Sequence, residues 1–187
     1  MSTRVASLLR GLQERWTASR FPIRFAVGGS LVAAIGLAGL TPNVFLNLTV
    51  AWPYAALIAA VGWGRSGLGI APILALLIFG FAQDVTASAP LGCHGLINLL
   101  TYGAVAGLAY AFQFERSPAL AFAEPLVMLA FGMALVWVMA SLVSGHLEKA
   151  APLMSSGFAT IFLYMLIGPL FDLGRRRGQD DDLGSVV

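Results

Sequence analysis

Residues 120–143 read LAFAEPLVMLAFGMALVWVMASLV, a run of 24 positions in which Glu124 is the one charged side chain. At about 1.5 Å per residue, a helix of that length outruns the hydrocarbon core of a bilayer, about 30 Å thick. A helix apolar on every face belongs in lipid or in the centre of a larger bundle. The rest of the chain decides for lipid. Of its 187 residues, 58% are hydrophobic and only 11% charged, with a mean hydropathy of +0.83. Soluble domains carry about a quarter charged residues, and too few polar side chains remain here to cover so much apolar surface in water.

Five further apolar runs accompany this one. Phe25 to Leu40 is bounded by Arg20 and Arg24 before it and by Thr41-Pro42-Asn43 after it. Val44 to Val61 reads as a second span kinked at Pro53, where a freed carbonyl needs a neighbour or water, and Gly62-Trp63-Gly64-Arg65-Ser66-Gly67 reads as a tight turn. Leu68 to Gln83 forms a third span closed by Asp84. Val85 to Ala89 then leads to Pro90, a residue suited to a first helical turn. Leu91 to Phe112 is the fourth span, residues 120–143 the fifth, and Pro152 to Leu170 the sixth. The pattern predicts an all-α membrane protein with a six-helix transmembrane bundle over residues 21–173, without internal repeats and without a loop long enough for a soluble domain.

Charge gives the orientation. Six spans put Arg4, Arg10, Arg15, Arg20, Arg24, Arg65, Arg116 and Arg175 to Arg177 on one side and only Lys149 on the other. The positive-inside rule makes the arginine side cytoplasmic, with both termini there. Within residues 1–20, Val5, Leu8, Leu9, Leu12 and Trp16 fall on one helical face with Arg4, Arg10, Glu14 and Arg15 between them. That pattern fits an interfacial helix whose arginines meet anionic lipid; the alternative is a frayed cytoplasmic tail. The basic stretch is too long for a signal peptide, and no small-residue cleavage site follows a short apolar region. Residues 174–187, with Arg175 to Arg177 and then Asp180 to Asp182, read as a disordered charged tail.

Several function classes lose support. Cys93 is the single cysteine, which excludes an intramolecular disulfide and a thiolate cluster. His94 and His146 are the only histidines, so neither a metal nor another cofactor is expected. The pI near 9.0 comes from residues that flank apolar segments, which favours a bilayer surface over nucleic acid as the basic partner.

The polar side chains inside the spans gather toward the outer half. His94, Asn98 and Thr101 run i, i+4, i+7 on the fourth helix, and Trp137, Ser141 and Ser144 repeat that spacing on the fifth. Ser156, Thr160 and Tyr164 run i, i+4, i+8 down the sixth, Asn43 and Asn47 open the second, and Asp84 ends the third. Polar stripes in lipid face the bundle interior or a water-filled cavity. They either line an outward-facing groove for a ligand or partner helix, or they are interhelical glue worth about 0.6 kcal/mol each. Asp84 reads as a coupling carboxylate or as a solvated helix end, and it can meet His94 across one turn. Without a placed nucleophile that pair does not make a catalytic site, Ser88 lacks the glycines of a nucleophile elbow, and Glu124 before Pro125 reads as a snorkelling or capping residue. An enzyme is the least supported class. Gly103 and Gly107 form a small-xxx-small motif on the fourth helix, open to internal packing or to dimerisation.

Residues 83–96, QDVTASAPLGCHGL, resemble the hallmark of the MreD family of rod-shape-determining proteins, with Asp84, Ser88, Pro90, Leu91, Gly92 and His94 at the matching positions. Length, span count, basic cytoplasmic ends and Trp52-Pro53 in the second span agree with that family; the extended basic N-terminus and the acidic tail depart from its shorter members. The resemblance implies a non-enzymatic scaffold of the bacterial inner membrane that works in cell-wall elongation. Its implied partners are MreC, MreB, and RodA with its class B penicillin-binding transpeptidase. It also implies a fold similar to the substrate-binding subunit of energy-coupling-factor transporters. An outer groove of His94, Asn98, Thr101, Trp137, Ser141, Ser156, Thr160 and Tyr164 would then hold MreC. In the alternative function, a vitamin-type transporter subunit, the same groove would hold a small molecule.

Overall fold

The computed structural model describes residues 21–39, 44–45, 48–49, 52–111 and 118–173. The amphipathic segment expected over residues 1–20 and the charged tail expected over 174–187 lie outside them. Six helices are described: α1 (Phe21–Ala38), α2 (Ala55–Gly64), α3 (Ile70–Ala87), α4 (Cys93–Ala111), α5 (Pro118–Ser144) and α6 (Ala150–Ile167), which runs on into a 3-10 turn, Gly168–Phe171. Two-residue strands β1 (Val44–Phe45) and β2 (Leu48–Thr49) pair antiparallel, with Val44 opposite Thr49. Helices α1, α3, α5 and α6 are each long and apolar enough to cross a membrane. The chain is a multi-pass helical membrane protein, and its exposed surface carries the large apolar side chains that lipid requires, Leu74, Ile78, Phe131, Phe158 and Phe162 among them.

The second expected span is different. Val44 to Val61 is not one kinked helix: its first part pairs as the β1–β2 ribbon, and helix begins only at Ala55, after Pro53. Proline removes a donor and clashes with the preceding turn, so the helix starts afresh beyond it. All ten residues of α2 are buried, because α1, α3, α4, α5, α6 and the 3-10 turn surround it. A helix apolar on every face needs such a place when lipid does not cover it. The expected turn at Gly62–Gly67 also shifts, since Gly62, Trp63 and Gly64 still belong to α2. The two glycines' lack of side chains is used in packing: a Cβ on Gly62 would strike Phe171, and one on Gly64 would press on Val105. The true turn is stapled by Tyr102, whose hydroxyl accepts from the Gly69 amide at 2.8 Å and donates to the Gly67 carbonyl at 2.9 Å.

The two ends of the bundle differ. At one, here the Arg65 end, α1 starts four residues earlier than the sequence reading placed it and takes in Arg24. That side chain is only 6% exposed, and its guanidinium donates to the Asp172 carbonyl at 3.4 Å. The Leu173 amide donates to Ser66 Oγ at 3.1 Å, so the chain after α6 folds back across this end. Phe171 then packs its ring, tilted, near Trp63, which also meets Phe25, with ring centroids 6.4 and 4.9 Å apart. The opposite, Asp84 end holds the α3–α4 hairpin. There Gly80 and Gly95 let the two backbones touch, for a Cβ on Gly80 would collide with the Gly95 main chain.

Candidate functional site

The α3–α4 hairpin turns on Asp84. It sits in the last turn of α3 and is 0% exposed, not a solvated helix end. Ser88 closes α3 in the left-handed conformation (φ 53°), its amide returning to the Asp84 and Val85 carbonyls. Pro90 and Leu91 lie in the turn rather than in the next helix, and Gly92 adopts φ 98° before α4 begins at Cys93. This path brings the first amides of α4 onto the carboxylate of the preceding helix. Asp84 Oδ2 accepts from the Gly92 amide at 2.6 Å, and Oδ1 accepts from the His94 amide at 2.9 Å and lies 2.7 Å from His94 Nδ1. A helix leaves its first amides without partners, and a carboxylate there satisfies them and favours the positive end of the helix dipole. Asp84 thus caps α4 from the neighbouring helix. Its burial is tolerable because both oxygens are bonded.

His94 continues the arrangement inward, its ring stacked over Tyr54 with centroids 6.4 Å apart. Tyr54 follows Pro53 at the point where α2 begins, and its amide donates to Thr160 Oγ1 at 2.9 Å. Thr160 lies ten residues into α6, roughly 15 Å along its axis, so the break in the second segment sits well inside the bundle. Irregular backbone at such depth persists only where protein groups bond it. Thr160, which itself donates to the Ser156 carbonyl at 2.7 Å, supplies that acceptor. Trp52 secures the other side by donating from Nε1 to the Ile35 carbonyl at 2.9 Å.

The remaining predicted site residues do not converge on one groove. Asn98 is buried and donates to Gln83 Oε1 at 3.2 Å across the hairpin. Thr101 is buried and bonds the Ile97 carbonyl of its own helix at 2.9 Å, against Gly132 of α5. Trp137 donates to the Glu148 carbonyl at 3.0 Å and Ser141 accepts the Glu148 amide at 3.2 Å, so both clamp the α5–α6 link. Ser156 contributes its carbonyl to Thr160, and Tyr164 lies toward the opposite end of the bundle, beside the Arg65 guanidinium. Among the described residues Gly103 and Gly107 make no close approach, where a Cβ on either would meet nothing within 4 Å, so the internal-packing reading of that motif finds no support there. Close helix contact runs through Gly80, Gly95 and Gly132 instead.

Sequence reasoning missed Tyr54, Gln83 and the Arg65 end. The signal for Tyr54 was its place directly after Pro53. Gln83 adjoins the motif aspartate, one turn of hairpin away from Asn98. At the Arg65 end the structure shows a cavity of about 290 Å³ lined by Arg65, Pro125, Leu126, Tyr164, Met165 and Asp172. Among the described residues, no three His, Cys, Asp or Glu side chains come together as a metal would need. Compared with family models, with curated proteins and with solved structures, the chain finds no match.

Proposed function

We propose that the chain is a non-enzymatic scaffold subunit of the wall-elongation machinery in a bacterial inner membrane, similar to the MreD family. In this reading both termini are cytoplasmic. It binds MreC and links MreB with RodA and its class B penicillin-binding transpeptidase, so that wall synthesis follows cell shape. One observation carries the proposal. The residues that resemble the family hallmark build a hydrogen-bonded hairpin, in which the buried Asp84 spends both oxygens on Gly92 and His94 of its own chain. A carboxylate held that way orders a surface; it is poorly placed to shuttle protons or activate a nucleophile. Asn98, Thr101 and Thr160 are likewise buried and bonded within the chain. Specific recognition then falls to the outside of the bundle and to the turn that Asp84 shapes.

A second reading has one observation in its favour. Helix α2 starts part-way through the bundle, at a break bonded by Thr160, and interrupted helices build the substrate sites of many transporters. A substrate-binding subunit of a vitamin-type transporter would use that break. The two readings separate when the chain is purified from native membranes in mild detergent and both proteins and small molecules are identified by mass spectrometry. Co-purification of MreC or the RodA pair without a stoichiometric metabolite is the expected result. A stoichiometric metabolite without wall proteins would overturn the scaffold reading.

A further inference from the structure

The cavity at the Arg65 end belongs to neither reading. It lies between the start of α5 and the end of α6, against the close of α2. Pro125 and Leu126 form one wall and Met165 another. Met165 is 52% exposed, so the cavity opens along the outer apolar surface of two helices long enough to cross a membrane. Its polar groups are of both signs. Arg65, fixed at its base by the buried α2, reaches the Tyr164 hydroxyl, and the Asp172 carboxyl completes the lining with Glu124 near enough to act on Tyr164. Gly168 leaves room for the phenol, since a Cβ there would come within 3.0 Å of the ring.

From this geometry we propose that the cavity takes the headgroup of a zwitterionic phospholipid, a phosphoethanolamine whose phosphate meets Arg65 and the Tyr164 hydroxyl and whose ammonium meets Asp172. The volume, about 290 Å³, falls at the small end of ligand sites, which begin near 300 Å³, and so suits a headgroup whose chains stay outside. The opening onto the lipid-facing surface gives those chains their path along α5 and α6. Charge selects the class. A purely anionic headgroup would gain Arg65 but face Asp172 and Glu124, and a purely cationic group would face Arg65. An ammonium adds to a carboxylate already bonded elsewhere, because a carboxylate has about four acceptor positions. Tyr164 contributes a hydroxyl that donates to phosphate and a ring that closes the apolar floor.

The test is reconstitution of the full chain in nanodiscs of equimolar phosphatidylethanolamine and phosphatidylglycerol, followed by native mass spectrometry of the lipid retained on release. The wild-type chain should retain phosphatidylethanolamine in preference to phosphatidylglycerol. Arg65→Gln should lower total retained lipid about fivefold, the value of roughly one basic residue at a membrane surface. Asp172→Asn should keep lipid but lose the preference, and Leu126→Trp, which fills the cavity with every charge intact, should lower retention. If Arg65→Gln does not fold, the other two variants decide. A wild-type chain that retains no lipid, a preference unchanged in Asp172→Asn, or retention unchanged in Leu126→Trp would each overturn the proposal.

Discussion

The carboxylate of Asp84 holds the start of the helix that follows it, with Oδ1 at 2.9 Å from the His94 amide and 2.7 Å from His94 Nδ1. The bond joins two helices through one buried charge, and Oδ2 adds the Gly92 amide at 2.6 Å. The α3–α4 turn therefore depends on an acceptor that no neutral side chain replaces in full.

Asp84→Asn tests that dependence. The amide keeps one acceptor oxygen and points an NH2 group at an amide that already donates. Hydrogen bonds to a charged group contribute about 1.5–3 kcal/mol, and an unsatisfied buried group costs a further 1–3, so the variant should lose at least about 2 kcal/mol. Cys93, the single cysteine, is half-buried at the first position of α4 and reports the loss directly. Its labelling by a maleimide dye in detergent should speed up markedly in Asp84→Asn and change little in Asp172→Asn. Equal labelling of Asp84→Asn and wild type would show that the lock does not hold the turn.

The glycines of α3 and α4 should divide sharply under substitution. Gly80→Ala puts a methyl group into the Gly95 backbone, which cannot yield, so the hairpin must open at a cost typical of overpacking, about 1–3 kcal/mol or more. Gly103→Ala meets nothing among the described residues and should stabilise α4 by up to about 1 kcal/mol through helix propensity. Thermal unfolding in one detergent measures both. If Gly103→Ala instead disrupts a complex that the wild type forms, that face of α4 is a helix contact between chains.

Much of this architecture is legible in the amino-acid sequence. Long apolar runs mark α1, α3, α5 and α6 because lipid imposes the same requirement on every face of a span. The meeting of Asp84 and His94 follows from the shortness of the turn between their helices. The half-length of α2 was not legible: Val44 to Val61 is apolar whether it faces lipid or lies inside the bundle, and hydropathy does not tell one nonpolar neighbour from another. Its spacing from Thr160 puts Tyr164 in the expected outer groove. Spacing gives the face of a helix but not the depth, and fourteen residues from Ala150 is roughly 21 Å, past the middle of a bilayer. Gly103 and Gly107 matched a motif that records only the absence of side chains; which glycines are used depends on helix crossing points, visible only in three dimensions.

The break before α2 makes a prediction of its own. Thr160→Val keeps shape and removes the acceptor for the Tyr54 amide, a half-buried donor. The cost should be about 1–3 kcal/mol, while Thr160→Ser, which retains the hydroxyl, should cost less. Thermal unfolding of the two variants side by side separates lost bonding from lost packing. Equal stability of Thr160→Val and wild type would mean that the Tyr54 amide finds another acceptor.

Trp63 presents the complementary case, a buried donor that has no acceptor among the described residues. Its Nε1 faces Gly28 of α1, where a Cβ would lie 3.1 Å away. Any side chain there crowds the indole and Phe171, and both Gly28→Ala and Gly28→Ser should destabilise the packing of α1 on α2. The two differ in one respect: serine brings an oxygen that Nε1 can donate to, and a net hydrogen bond contributes about 1 kcal/mol. Gly28→Ser should therefore unfold at a higher temperature than Gly28→Ala, and the gap should close when Trp63→Phe removes the donor in both backgrounds. The pairwise comparison cancels the crowding common to the two variants and isolates the indole nitrogen. A gap that survives in the Trp63→Phe background would assign the difference to the serine's bond with its own helix.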